Sequence, residues 1–108
     1  MTNKINEMLA MYGLREEGNL GAMLDESWDD DAVRKYCRDV LATYPDLKKE
    51  TWIVGIEGGD YIYSFGGNFV FITDDIWSFN VVATQPVLAL LAESMVALRE
   101  RQRNDTQQ

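Results

Sequence analysis

The sequence predicts an α+β domain: two N-terminal helices, a four-stranded antiparallel β-meander, and a C-terminal helix packed on one sheet face. Three observations carry that expectation. Apolar residues recur at helical spacing before Tyr44 and again after Thr84. Between them, residues 51–83 form apolar runs parted by Gly58-Gly59, Gly66-Gly67 and Asp74-Asp75, the punctuation of hairpins. The chain has 108 residues, 46% of them hydrophobic, so one domain can build its core without disulfide staples. Residues 1–103 are read as that domain and residues 104–108 as a frayed tail.

The first helix is expected over residues 3–13, where Ile5, Met8, Leu9 and Tyr12 make one stripe. Met8 and Met11 read as core fillers, since methionine adapts to irregular gaps. Gly13 suits a left-handed helix end. Residues 14–31 have apolar positions (Leu14, Leu20, Met23, Leu24, Trp28) interrupted by glycines, with a short helical turn expected over 20–26. The acidic run from Asp25 to Asp31 lacks the alternating acids, central glycine and terminal glutamate of an EF-hand. It reads instead as carboxylates that cap the next helix and complement its positive end.

That second helix is expected over residues 31–44. Val33, Tyr36, Cys37, Val40, Leu41 and Tyr44 share one face, and Arg34, Lys35, Arg38 and Asp39 take the other. Pro45 stops it. Cys37 falls on the buried stripe, and the chain has no histidine to activate a thiol. It reads as a core residue. Residues 45–50 read as a polar connector.

If each turn is a two-residue loop, Ile56 pairs with Tyr61, Tyr63 with Val70, and Ile72 with Trp77. One face then collects Trp52, Val54, Ile56, Tyr61, Tyr63, Phe65, Val70, Ile72, Trp77, Phe79 and Val81, the expected core face. The other collects Ile53, Ile62, Phe69 and Phe71 around Gly55, Ser64 and Ser78. After Thr84, a plausible N-cap, and Pro86, tolerated in a first turn, Val87, Leu88, Leu91, Met95 and Leu98 form the last stripe, with Leu90 and Val96 widening it.

Net charge is −8. No Lys or Arg occurs between Lys49 and Arg99, so the sheet offers no cations to displace phosphate counterions. Direct nucleic-acid binding is not expected, nor is docking to an anionic membrane. No apolar run approaches the ~20 residues of a membrane span, and Glu7 interrupts the start of the chain before a signal-type apolar run develops. A cytoplasmic protein is expected. Without histidine there is no Ser-His-Asp or Cys-His arrangement, and the glycine pairs lack the setting of a phosphate loop. No enzyme activity and no cofactor are expected.

Two surfaces are candidates for function. Strands alternate in direction, so the turns holding Glu57, Asp60, Asp74 and Asp75 share one end of the sheet. These four form an acidic rim suited to Lys or Arg of a partner; metal binding or carboxylate catalysis is the lesser reading. The patch of Ile53, Ile62, Phe69 and Phe71 is open to three fates: partner binding, self-association as a homodimer, or cover by residues 14–28. Together they point to a small acidic protein that inhibits or neutralises another protein by occluding a basic surface, as immunity proteins and phage inhibitors do. The alternative is a secretion-type chaperone dimer that holds an effector segment; a metal-dependent enzyme ranks below both.

Overall fold

The computed structural model describes residues 4–14 and 18–106, with residues 105 and 106 described for the backbone alone. In chain order the elements are α1 (Lys4–Met11), a 3₁₀ turn (Leu20–Met23), α2 (Asp30–Leu41), β1 (Lys48–Gly55), β2 (Gly58–Phe65), β3 (Asn68–Asp75), β4 (Phe79–Val82) and α3 (Gln85–Thr106). The four strands form one antiparallel sheet in sequence order, the expected α+β meander. No helix among the described residues is long and apolar enough to cross a membrane.

Local chemistry sets the helix ends. Gly13 ends the first segment at φ +71°, a conformation that favours glycine. The Asp29 carboxylate accepts from the Ala32 N–H at 2.8 Å and caps α2. Losing such a cap costs about 1 kcal/mol. Asp25 serves its own turn, accepting from the Ser27 backbone and hydroxyl. These hydrogen bonds, Ser27's hydroxyl first, hold the Asp25 carboxyl below its ordinary range. Helix α3 continues through Thr106, so residues 104–106 are helical where fraying was expected. Residues 107 and 108 of that expected tail lie outside the described residues.

The middle hairpin has the expected register: Phe65 faces Asn68, and Tyr63 faces Val70. The turns of the outer two are displaced by two residues along the chain, which moves each cross-strand partner by four. Trp52 faces Tyr61, with Ile56-Glu57 as the turn, and Ile72 faces Val81 across a longer Asp75–Ser78 turn. The reason lies in what the glycines do. A Cβ on Gly58, which sits at φ +145°, would collide with the Asp74 carbonyl and the Asp75 backbone. Gly58 is therefore spent on close approach between neighbouring strands, and the turn moves back to Ile56-Glu57. This draws Lys48, Lys49 and Glu50 into β1, with a bulge between Lys49 and Thr51, where a polar connector was expected. An even displacement keeps each residue on its face, so the two-face sorting survives.

The main core lies between one sheet face and α2 with α3. Phe65, Val70, Ile72, Phe79 and Val81 meet Val33, Cys37, Val40 and Leu41 from α2 and Leu88, Leu91 and Met95 from α3. Truncating Phe65, 1% exposed, to alanine costs about 3–5 kcal/mol at such a site. Tyr44, just past α2, packs its ring against Phe65 at 4.6 Å between centroids, tilted by 45°. Leu90 and Val96, expected to widen the α3 stripe, face outward.

A second, smaller core sits on the opposite face. Met8 and Leu14 bury Ile62 and Phe71, with Ile5, Leu9, Tyr12 and Val82 around them. The sequence assigned every helical stripe to one sheet face. Instead α1 covers the other, while Met11 points to solvent. The sheet is the middle of three layers.

Candidate functional site

The end of the sheet that carries the β1–β2 and β3–β4 turns presents the most exposed apolar groups of the sheet. Its two turns are fastened together: the Ile76 N–H donates to the Glu57 carbonyl at 2.9 Å. The Asp75 carboxylate accepts from the backbone N–H groups of Trp77 and Ser78, both at 2.8 Å, which fixes the second turn. The Trp77 indole N–H donates to the Glu57 carboxylate at 3.1 Å. With polar groups bonded to one another, the apolar side chains are left outward: Ile56 fully exposed, Trp77 74% and Ile76 69%. Trp52 and Val54, both more than half exposed, continue this surface along β1. A shallow depression of about 520 Å³ runs past Ile53, Val54, Ile56, Glu57, Asp60 and Asp75.

The four expected rim carboxylates do share this end, but they are not one free cluster. Asp74 points toward α2, where Arg34 Nε donates at 3.0 Å and Arg38 pairs with its other oxygen. Its side chain is only 13% exposed. Arg34 also reaches the Asp75 carbonyl at 3.2 Å and Asp31 at 3.0 Å. The cations missing between Thr51 and Ala83 are thus delivered by a helix about forty residues earlier. Asp60 lies on the opposite sheet face from Asp74, and accepts from the Thr73 hydroxyl at 2.8 Å. Glu57, Asp60 and part of Asp75 remain as negative charge around the apolar turns. Among the described residues, no group of three or more Cys, Asp or Glu side chains is placed to hold a metal ion.

The second expected surface divides. Ile62 and Phe71 are buried beneath α1 and touch no solvent-facing partner site. Phe69 packs its ring against Tyr12 at 5.0 Å between centroids and keeps about a third of its surface exposed, as does Ile53. The cover comes from Met8 and Leu14; residues 15–17 of the segment expected to supply it lie outside the described residues.

Sequence reasoning placed Trp52, Val54, Ile56 and Trp77 in the core, and the structure exposes all four. It did not select Ile76. The usable signal was Gly58 beside Ile56-Glu57: if that glycine is needed within the sheet, the preceding pair must turn, and a turn isoleucine faces water.

Two titrating groups sit in the main core's neighbourhood. Burial pushes the Cys37 thiol up to about 12, against a weak opposing pull from Arg38. Such a thiol is unreactive at neutral pH. Burial also raises the Tyr63 hydroxyl, helped by Tyr61 and Asp74. Neither group forms a nucleophile–base pair.

Set against known proteins, the chain matches no family model, no curated protein and no solved structure.

Proposed function

We propose that this chain is a small acidic protein-binding protein of the cytoplasm that neutralises a partner by occluding a basic surface. The observation that carries the reading is the fastened turn end: Ile56, Ile76 and Trp77 exposed on a hydrogen-bonded frame, with Glu57, Asp60 and Asp75 around them. Exposed tryptophan and isoleucine on a rigid frame supply contact area at little entropic cost, and surrounding carboxylates steer and orient a cationic partner. A net charge of −8 favours rapid encounter with such a partner. Asp74 is not part of this contact, because Arg34 and Arg38 hold it. Ile62 and Phe71 are not part of it either.

The test is capture of a binding protein from the native cell, followed by affinity measurement with variants. Ile56→Ser with Trp77→Ala should weaken binding by about a hundredfold while leaving thermal stability nearly unchanged. Glu57→Lys should slow association and reduce its dependence on salt. Binding that is indifferent to both changes contradicts the proposal.

One observation favours a second reading, a chaperone dimer holding an extended client segment: nothing among the described residues pairs with the outer edge of β1. Binding of an isolated client peptide would support that reading over occlusion of a folded partner.

A further inference from the structure

We propose that the outer edge of β1 pairs antiparallel with β1 of a second copy of this chain, joining two four-stranded sheets into one of eight strands. This goes beyond the occlusion reading: it uses the backbone edge of β1 and shares only the Ile56-Glu57 corner with the turn end.

The two edges of the sheet are treated differently. At β4, Asn19 bridges Val82, and the Ala83 N–H donates to the Gly18 carbonyl, so the chain covers that edge itself. At β1, nothing among the described residues pairs with the outer side. A free edge presents backbone donors and acceptors ready to template another strand, and proteins usually blunt it with charge, proline or a bulge. Lys48, Lys49 and the bulge at Glu50 blunt only the start of β1. Thr51 to Gly55 carries no charge and no proline, and Trp52 and Val54 stand more than half exposed on one face.

The charge pattern selects the occupant. β1 begins Lys48-Lys49-Glu50, where Lys48 lies 3.9 Å from Glu50 and leaves Lys49 as the net positive charge, and it is acidic where it turns, at Glu57. An antiparallel copy centred on Ile53 sets Trp52 opposite Val54 of the second copy. It also sets Lys48 and Lys49 beside Glu57 of the second copy, twice over by symmetry. A parallel copy would align lysine with lysine. The strand is complementary to its own antiparallel image in backbone, apolar groups and charge.

The test is the mass of the intact protein by sedimentation equilibrium across micromolar concentrations. The wild type is expected at twice 12.3 kDa. Val54→Lys should weaken the dimer by more than about tenfold while circular dichroism shows the same folded structure. Lys49→Glu and Glu57→Lys should each weaken it, and the double exchange should restore it, a rescue that misfolding cannot imitate. A wild type monomeric throughout, including one that adds only a client strand, overturns the proposal; so does a dimer insensitive to Val54→Lys and to the charge exchange. Partner affinity of Ile76→Ser, a change outside β1, then reads the occlusion proposal separately.

Discussion

At the scale of single residues, three positions illustrate how surroundings decide chemistry. Cys37 is reduced to a core atom by burial. Burial raises its thiol from the ordinary 9.0 to about 12, so the fold holds the proton more tightly. Stability is therefore undiminished by this group below pH 9.0, and falls as pH rises toward about 12, by up to ~1.4 kcal/mol per pH unit. Denaturant melts between those values should show the loss, and Cys37→Ala should flatten it; the raised Tyr63 hydroxyl adds a loss of the same sign. Thiol reagents should modify Cys37 only as the protein unfolds. Asp74 tells the opposite story to the one its sequence neighbours suggest. Asp74→Asn leaves Arg34 and Arg38 without their shared carboxylate, and a loss of about 1–2 kcal/mol is expected in a urea melt, since both arginines keep some solvent. At Gly58, an added Cβ has no room and the backbone has positive φ. Gly58→Ala should cost more than the ~1 kcal/mol of an ordinary glycine change and should disturb the turn end.

At the scale of elements, the sequence and the structure agree wherever periodicity alone decides. The stripes of α2 and α3 and the alternation along β2 and β3 are legible because burial repeats at 3.6 or 2 residues. Turn placement is not legible in that way. Gly58-Gly59 looks like a loop until the close passage of Asp74 and Asp75 is known, and that passage is a tertiary fact. The resulting displacement is even, so faces were assigned correctly while Ile56 and Trp77 changed from core to surface. Which sheet face α1 would choose was equally closed to sequence reasoning, because its stripe fits either. Its choice has a consequence for Ile62. Ile62→Ser should unfold a fraction of the protein, at a cost of about 2–4 kcal/mol, with no specific effect on partner affinity in the folded fraction. Circular dichroism and titration of the same sample separate the two.

At the scale of the whole molecule, the middle of the sheet lacks cations of its own. The strands between Thr51 and Ala83 carry four acids and no base, and α2 lends Arg34 and Arg38 to one of them. The acidic end was therefore visible in the sequence, but its partial neutralisation was not, because the partners are remote in the chain. What remains is an apolar centre with fewer carboxylates than expected, on turns braced by Asp75 and the Ile76–Glu57 hydrogen bond. The outer edge of β1 and the turn end meet at Ile56-Glu57, while Ile76 and Trp77 belong to the turn end alone. Affinity of the captured partner for Ile56→Ser with Trp77→Ala, measured beside wild type and beside Glu100→Ala on the remote exposed part of α3, tests the turn end most directly. Binding weakened by about a hundredfold in the double variant alone is the expected result. Equal affinity for all three would contradict it.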